Sequence, residues 1–508
     1  MVPSVYNGGV RKGLYLRFGG SLEEGNLRAL ALARALLEDP PKGLLDAVPA
    51  YQSLYLEFTE PLKEAALLRR LARLEAAPLP EGKEVEIPVL YQGEDLEEVA
   101  REAGLSPEEV VRLHAAPLYR VYALGFTPGF PFLGEVDPRL RLPRRPRPRP
   151  RVAAHSVAIA GFQTGIYPLP SPGGWRILGR ALVAVYDPHR ADPFLLRPND
   201  RVRFRPAQGV PPPEPEPLDL LPDLPRRPVL RVEEPGLLSL VVDEGRFLGG
   251  HLGLARSGPL DERSARRANA LVGNPRGAPL LELTLSGPVL TALEDVVLGF
   301  AGYGMVPVRE GEPLPPGQSF LLRRGQTLRF RPLREGVRGY LAVAGGIEAR
   351  RFLGSASPDL RGRVGRPLRP GDLLGVQEKR PVRPGYALFQ PPLPPFRVRL
   401  LKGPQYDLEA LRVLTSAPFT LAEGDRTGLR LQGPPVPGGE GVSEATPLGG
   451  VQATPGGEAI VLLNDKGSLG GYAKPALVHP NDLWLLAQVR VGERVTFVLD
   501  PSLRGELR

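Results

Sequence analysis

One strand motif recurs along this chain and constrains its fold more than any other feature. The segments at 197–205 (RPNDRVRFR), 323–331 (RRGQTLRFR) and 489–498 (VRVGERVTFV) each place a polar turn before a strand with alternating apolar residues. A shortened copy, RPGDLL, occupies 369–374. Alternation with a period of two is typical of a half-buried β-strand, and the long intervals between copies exclude a solenoid. We therefore expect the motif to form the closing strand of several barrel-like domains.

Composition excludes several other architectures and kinds of site. The 508 residues include 60 glycines and 61 prolines without collagen periodicity, and the absence of cysteine excludes disulfides and thiolate chemistry. No apolar run approaches the ~20 residues of a membrane span, and the N-terminal segment lacks a signal-peptide pattern. We expect a cytoplasmic protein with no membrane partner. Scarce methionine and proline-rich loops are typical of a thermophile, and a GC-rich genome would also favour arginine, glycine and proline.

Charge and helical pattern argue against a nucleic-acid partner. The net charge of +9 is small for a chain of this length. The segment 94–114 has the spacing of a helix–turn–helix, but its second helix begins with acidic residues, so we favour a helical hairpin packed on a sheet. Ser106 and Glu109 form a capping box there. The periodicity predicts helices over 22–37, 61–76, 94–103 and 106–114, and strands over 14–17, 45–58 (around a Pro-Ala turn) and 86–90.

In each half of the chain, segments dense in glycine, proline and aromatic residues resemble those of a known family. In the first half, 125–134 (GFTPGFPFLG) and 155–180 resemble the B subunit of 5-oxoprolinase, whose family includes an inhibitor of a bacterial histidine kinase. A proline-rich segment, 206–228, follows. In the second half, 255–275 and 471–483 resemble the C subunit of the same enzyme. Both halves also resemble the carboxyltransferase region of urea carboxylase, in what looks like a natural fusion.

The resemblance implies an α+β, mostly β fold. It implies a small α/β lobe (1–82), a cyclophilin-like barrel (83–207), a proline-rich linker (208–228) and two tandem cyclophilin-like barrels (229–392 and 393–508). The implied activity is ATP-dependent opening of the cyclic amide 5-oxoproline to glutamate, with Mg²⁺ and the A subunit of 5-oxoprolinase as a separate polypeptide. Two alternatives stay open, a regulatory protein that inhibits a histidine kinase and a carboxyltransferase-like component of urea or allophanate metabolism. The sequence also allows a homo-oligomer.

The first candidate site is the glycine-rich segment 154–180. No P-loop motif is present, so phosphates would be held by loops and arginines. Gln163 could read the lactam amide and His155 could act as an acid or base, and we assign both as catalytic candidates. Exposed backbone between glycines could bind anions. The predicted binding residues are Gly161, Thr164, Gly165, Tyr167, Gly173, Gly174, Trp175 and Arg176.

Two neighbouring segments could complete this first site. The segment 141–151 (RLPRRPRPRPR) alternates arginine with proline, which favours an extended path with outward cations. It would serve as a mobile cationic lid over ATP or as a solvated surface loop. The aromatic residues of 125–134 would either surround the ligand or anchor their own loop.

The second candidate site follows the motif Ser257-Gly258-Pro259-Leu260-Asp261. Asp261 could cap the next helix or, as a catalytic residue, bind Mg²⁺ or orient a water molecule. Glu282 lies in an apolar strand and needs a partner if it faces the interior. No cluster of metal ligands is assigned. Segments 355–359 and 465–472 lack the hydrogen-bonding residues of the resembled family, which leaves the substrate open. Further binding candidates are Arg256, Ser257, Arg426, Tyr472 and Lys474.

Overall fold

The computed structural model describes residues 2–8, 11–59, 64–74 and 79–503 of the chain. Strands account for 37% of the residues and helices for 15%, which confirms the expected mostly β fold. No helix among the described residues combines the length and the apolar character that crossing a membrane requires.

The N-terminal lobe is a four-stranded antiparallel sheet against which a long helix packs. Its elements are β1 (Val2–Gly8), β2 (Arg11–Arg17), α1 (Leu22–Glu38), β3 (Leu44–Ala50), β4 (Ser53–Thr59) and α2 (Glu64–Leu74). The strand order is β1-β2-β4-β3. Leucines and alanines at three- and four-residue spacing give α1 a buried face, and Ser21 and Glu24 form its capping box.

The hairpin turn of this lobe lies later than the sequence pattern indicated. Pro49 and Ala50 pair within β3, so Tyr51 and Gln52 form the turn between β3 and β4. The predicted Pro-Ala turn is therefore wrong. The predicted helix 61–76 is present over Glu64–Leu74, and its other residues lie outside the described residues.

A closed barrel of seven strands follows the lobe and carries a helical hairpin. Its elements are β5 (Glu84–Leu90), α3 (Leu96–Ala103), α4 (Pro107–Ala115), β6 (Leu118–Leu124), β7 (Pro131–Gly134), β8 (Arg149–Val152), β9 (Ser156–Ala160), β10 (Gln163–Ile166), β11 (Ser171–Gly173), β12 (Arg176–Ala181) and β13 (Arg201–Pro206). The barrel order is β10-β7-β6-β13-β5-β12-β9. The recurring motif supplies β13, which pairs in parallel with β5 and closes the barrel as predicted. The capping box of Ser106 and Glu109 is present, and the hairpin packs on the barrel.

The proline-rich segment between the halves contains no helix or strand over 207–227, and it is docked on the protein. A single bridge joins Leu218 to Val364 of the second half. Leu220 is buried in the core of the first barrel, and Leu221 is buried in the core of the domain that follows. The linker therefore contributes to both cores.

The described strands of the middle domain form two sheets around a shared core. Its elements are β14 (Pro228–Glu234), β15 (Leu238–Val242), α5 (Glu262–Leu271), β16 (Leu280–Thr284), β17 (Val289–Ala292), β18 (Val296–Gly302), β19 (Met305–Arg309), β20 (Glu312–Pro313), β21 (Gln318–Leu322), β22 (Thr327–Pro332), β23 (Arg338–Val343) and β24 (Leu373–Gly375). The orders are β20-β19-β22-β17-β14-β24 and β15-β16-β23-β18-β21, around a shared core. The motif copy at 323–331 supplies the inner strand β22, whereas the shortened copy supplies β24 beside the opening strand β14.

The last domain is again a closed ring of strands. Its elements are β25 (Arg397–Lys402), α6 (Leu408–Ser416), β26 (Phe419–Gly424), β27 (Gly428–Gln432), β28 (Glu440–Ala445), β29 (Gly450–Ala453), β30 (Ala459–Leu462), β31 (Leu469–Val478), α7 (Leu483–Leu486) and β32 (Arg494–Leu499). The order β25-β32-β26-β27-β30-β29-β31 closes through pairing of β25 with β31. The motif copy at 489–498 supplies β32, which is parallel to β25 just as β13 is to β5. We call this domain the third barrel.

The closing strand of the first barrel supports a stability prediction. Phe204 on β13 is 1% exposed, and its ring stacks on that of His114 with 4.7 Å between centroids. We expect Phe204→Ala to lower the free energy of unfolding by about 3–5 kcal/mol, because it leaves a cavity in the core. Phe389 is 83% exposed, so the control Phe389→Ala should change it by less than about 0.5 kcal/mol. Equal losses in urea denaturation would contradict the core role of Phe204.

Candidate functional site

A cavity of about 360 Å³ lies where the N-terminal lobe, the middle domain and the third barrel meet. Thr59 lines it from the lobe, Phe247 and helix α5 from the middle domain, and Asn464 and Trp484 from the third barrel. Small-molecule sites in proteins have volumes of roughly 300–1,000 Å³. This junction cavity is therefore the candidate functional site.

Charged side chains of both signs line the junction cavity. Arg266 pairs with Glu262 at 2.7 Å, and Arg276 pairs with Glu244 at 2.9 Å. The wall carries a net formal charge of +1, from four cations and three anions. That balance suits a ligand with a single negative charge better than a polyanion. The charged residues are Arg256, Arg263, Arg266, Arg276, Asp243, Glu244 and Glu262.

Arg263 presents a cation to the cavity that no carboxylate neutralises. Its guanidinium donates a hydrogen bond to the carbonyl oxygen of Asn481 at 2.6 Å and lies 4.9 Å from the ring centroid of Trp484. Within the described part of the chain, it forms no ion pair. Stacking on an aromatic ring fixes the guanidinium plane, so its remaining N–H groups are oriented before a ligand arrives.

A small inner chamber of about 30 Å³ adjoins the junction cavity. Asp46 and Glu57 of the lobe line it together with Lys466 of the third barrel, and Arg256 lines both spaces. Asp46 accepts a hydrogen bond from the backbone N–H of Gly250 at 3.2 Å, and Glu57 pairs with Arg256 at 3.4 Å. Burial and the nearby Glu57 charge raise the pKa of Asp46 to about 7, and burial lowers the pKa of Lys466.

A buried ion network behind the cavity wall joins the middle domain to the third barrel. Glu282 on β16 pairs with Arg426, which also donates to Asp465 at 2.8 Å. The hydroxyl of Tyr340 donates to Glu282 at 2.7 Å. Burial alone would raise the pKa of Glu282, but Arg426 and Arg338 lower it below the ordinary value. Glu282 therefore faces the interior with its partners, and this network brings it together with the predicted residue Arg426.

Asp261 caps helix α5 and is enclosed by protein. Its carboxylate accepts hydrogen bonds from the backbone N–H of Ser264 at 3.0 Å, the Ser264 hydroxyl at 2.6 Å and Nε2 of Gln488 at 2.9 Å. Burial raises the pKa of Asp261. These contacts give Asp261 a capping role, and its side chain does not line the junction cavity described above. Its catalytic role stays a prediction.

Asn464 fixes the loop that precedes α5. Its Nδ2 donates to the carbonyl oxygens of Ser257 at 2.9 Å and Pro259 at 3.0 Å. Ser257 itself is buried behind the cavity wall, with a φ of +57°. Oδ1 of Asn464 accepts no hydrogen bond from the described residues, although Asn464 lines both the cavity and the chamber. This amide oxygen is therefore open to a donor in the cavity.

The candidate residues on β10 and before β9 lie outside the walls of both spaces. The hydroxyl of Thr164 lies 2.8 Å from Nε2 of His114, and Oε1 of Gln163 has no partner among the described residues. Nε2 of His155 lies 3.4 Å from the carbonyl oxygen of Pro213 in the linker, and burial lowers its pKa. His155, Gln163 and Thr164 do not line the junction cavity or the inner chamber.

Tyr167 and Trp175 belong to a buried aromatic cluster. Their ring centroids lie 5.1 Å and 5.4 Å from that of Phe130. Phe130 and Phe132 are buried in the same cluster. The aromatic residues of 125–134 thus anchor their own loop, which is one of the two roles expected from the sequence.

The glycines of the candidate segment 154–180 lie where the backbone packs closely against neighbouring residues. A Cβ at Gly173 would lie 2.3 Å from the hydroxyl oxygen of Tyr167, and one at Gly165 would lie 2.8 Å from the carbonyl oxygen of Pro131. Gly161 has a φ of +57° in the turn between β9 and β10, and Gly174 follows β11. Close packing therefore accounts for Gly165 and Gly173 without a ligand.

The arginine-proline segment 141–151 is tied to the protein by ion pairs. Arg145 and Arg149 pair with Asp95 at 2.8 and 2.6 Å, and Arg144 pairs with Glu440 of the third barrel. The structure therefore favours a fixed surface strap over a mobile lid. Two further pairs of this segment are Arg141 with Glu135 and Arg151 with Glu214. Outside it, the predicted binding residue Arg176 pairs with both Glu98 and Glu102.

Tyr472 and Lys474 lie on β31, away from the junction cavity. Lys474 is 1% exposed, and its Nζ donates to the carbonyl oxygen of Tyr472 at 3.0 Å. Burial lowers the pKa of Lys474 to about 8, although the nearby Glu444 opposes that shift. Glu444 pairs with Arg17 of the lobe at 3.0 Å. These residues therefore mark the contact between the lobe and the third barrel.

Sequence reasoning identified Arg256 in the junction cavity but missed Arg263, Asn464 and Trp484. Two of the missed residues carried a usable signal, because Trp484 is one of two tryptophans and Asn464 directly precedes the altered segment 465–472. Arg263 carried no such signal, because it is one of three arginines on the amphipathic helix α5.

Comparison with known proteins supports the resemblance in each half. Residues 10–196 match the family described as carboxyltransferase domain, subdomain C and D, and residues 252–499 match carboxyltransferase domain, subdomain A and B. The chain is 40% identical over 210 residues to the B subunit of 5-oxoprolinase from Bacillus subtilis (strain 168), covering 38% of this chain and 88% of that protein. It is 33% identical over 282 residues to the C subunit of 5-oxoprolinase from Escherichia coli (strain K12), covering 53% and 91%.

A solved structure is similar along nearly the whole chain. The crystal structure of TTHA0988 has 68% sequence identity and a TM-score of 0.93, and the match covers 96% of this chain and 100% of that one. The order of the two halves on one polypeptide is therefore shared with that protein.

The buried ion network generates a stability prediction. We expect Arg426→Met to destabilise the protein by about 3–5 kcal/mol, because it leaves Glu282 and Asp465 buried without their cation. The matched control is Arg430→Met in the same barrel, whose half-exposed pair with Glu458 should contribute no more than about 1 kcal/mol. Equal shifts of the thermal midpoint in scanning calorimetry would show that the network is not a main support of the fold.

Asp46 makes a pH-dependent contribution to the free energy of unfolding, and a single substitution can measure it. Its pKa of about 7 lies above the ordinary value of 3.8, so folding favours the protonated form. The stabilisation it gives is full below pH ~4 and lost as the pH rises through 7. We expect Asp46→Asn to gain stability relative to the unaltered protein by up to about 1.4 kcal/mol per pH unit within that window. The exposed control Asp223→Asn should follow the unaltered protein, and a flat difference for Asp46→Asn would contradict the raised pKa.

Proposed function

Because the chain belongs to the families of the B and C subunits of 5-oxoprolinase, with both halves on one polypeptide, we propose that it is a component of an ATP-dependent 5-oxoprolinase. The reaction opens the cyclic amide 5-oxoproline to glutamate. One observation carries the proposal, which is that residues of both halves line the junction cavity: Thr59 from the first half, and Arg263 and Asn464 from the second. A site that needs both halves gives a physical reason for the two types of polypeptide to act together.

The chemistry of the reaction matches the groups in and beside this cavity. Opening a lactam requires an activated amide carbonyl and a water molecule delivered to it, and ATP supplies the activation. The arginines of the wall can neutralise a bound acid. In the inner chamber, Asp46 has a pKa of about 7 and can therefore take up or release a proton near neutral pH. Arg256 lines both spaces and connects the acid-binding wall to this group.

The segments predicted to hold ATP fit a nucleotide poorly. Five arginines of 141–151 are engaged by carboxylates, and Arg176 is buried between two glutamates. Gly173 packs on Tyr167, and Trp175 is part of the core. We therefore do not assign nucleotide binding to these residues. We expect Mg²⁺ to accompany ATP through its phosphates. We assign the rest of the reaction to the A subunit of 5-oxoprolinase, a separate polypeptide, and self-association of this chain stays compatible with the proposal.

The test is a product assay with the A subunit of the same organism either present or absent. We expect release of ADP and glutamate in equal amounts from ATP and 5-oxoproline only when both proteins are present. Arg430→Met, an exposed change far from the cavity, should retain this activity and serves as the matched control for variants of the site.

Other outcomes of the assay point to the alternatives. Hydrolysis of ATP without glutamate would support nucleotide use on another amide or acid. Absence of both products in folded protein with an active A subunit would contradict the proposal. In that case, inhibition of a histidine kinase and a carboxyltransferase role in urea or allophanate metabolism would be tested next.

A further inference from the structure

We propose that the junction cavity binds the lactam acid directly, with Arg263 holding its carboxylate and Asn464 accepting its ring N–H. The inference rests on the proposed function for the identity of the ligand, a five-membered cyclic amide that carries a carboxylate. It goes beyond that function by assigning the substrate contacts to two residues of the second half, outside the glycine-rich segment favoured by the sequence.

Arg263 is the residue that would bind the carboxylate of the ligand. The other three arginines of the wall have carboxylate partners, namely Arg256 with Glu57, Arg266 with Glu262 and Arg276 with Glu244. In the described structure, Arg263 has a backbone carbonyl and an aromatic ring as its partners and no carboxylate. A bound carboxylate would supply the missing counter-charge through charge-assisted hydrogen bonds.

Asn464 supplies the group that recognises an amide. Its Nδ2 is committed to two backbone carbonyls, which fixes the orientation of the side chain and leaves Oδ1 as an acceptor. Asn464 is 7% exposed as a residue and lines the cavity, and Oδ1 receives no donor from the described residues. A lactam N–H is a neutral donor of the required kind. A ligand with a carboxylate and an N–H matches the two open groups of the cavity wall.

Apolar side chains complete the cavity around the ring. Phe247, Leu448 and Leu483 line it beside the Trp484 indole. The ring methylenes of the lactam can pack on this surface, whereas a polyphosphate would lose bound water against these apolar side chains. The wall charge of +1 is also matched by one carboxylate and not by a triphosphate. The cavity therefore favours the lactam acid over the nucleotide.

Isothermal titration calorimetry of the full chain tests the ligand, first without ATP and with the A subunit either present or absent. A second titration adds ATP as a competitor in the absence of the A subunit. We expect 5-oxoproline to bind, and 2-pyrrolidinone, which lacks the carboxylate, to bind at least about tenfold more weakly. N-methyl-5-oxoproline, which cannot donate from the ring nitrogen, should also lose about tenfold. No binding of 5-oxoproline under either condition, or ATP bound in competition with it, would overturn the proposal.

Arg263→Gln tests the site. Arg263 is exposed at the cavity mouth, so this variant should keep the thermal midpoint of the unaltered protein and lose about 10–100-fold in affinity for 5-oxoproline. The matched control is Arg267→Gln, on the same helix but outside the cavity wall, which should bind normally. Unchanged affinity in Arg263→Gln would overturn the site even if the product assay succeeds. Lactam binding that depends on Arg263, with no product when the A subunit is present, would instead contradict the proposed function.

Discussion

The second half of the molecule depends on a buried ion network between its two domains. Glu282 belongs to the middle domain, whereas Arg426 and Asp465 belong to the third barrel, and all three are removed from water. Each charge is tolerated only because the others compensate it, so displacement of one domain would leave unpaired buried charges. The network thereby sets the position of α5 against the segment that contains Trp484. These two elements are the walls that bring Arg263 and Trp484 into contact.

The N-terminal lobe is held to this pair of domains by a different mixture of forces. Tyr15 and Tyr51 pack with Leu401 and Leu477 of the third barrel in one apolar cluster. Polar contacts supplement this packing, including the hydrogen bond from Gly250 to Asp46. A protonated Asp46 loses less on burial than a charged one, which is why its pKa shift favours the docked lobe at low pH. The third wall of the cavity is therefore fixed mainly by apolar packing.

Local patterns predicted much of the fold but not which residues meet in the junction cavity, for physical reasons. Period-two alternation identified β13 and β32, and spacing identified α1, α4 and the Ser106 capping box. Such signals are local. The roles of Glu282 and Asp261 depend on partners far away in the sequence, Arg426 and Gln488, and no local pattern encodes those. A family resemblance also cannot distinguish a residue kept for an ion network from one kept for a ligand.

The inner chamber explains why the two halves are chemically interdependent. Asp46 and Glu57 come from the first half, whereas Arg256 and Lys466, the cations beside them, come from the second. Separating the halves would leave acids on one surface and bases on the other, each partly shielded from water by its own apolar neighbours. Joining the halves keeps the complementary surface at a high effective concentration. The linker reinforces this effect, since Leu220 and Leu221 are buried in the cores of opposite halves. Covalent fusion and charge pairing thus act on the same interface, which is the one that forms the cavity.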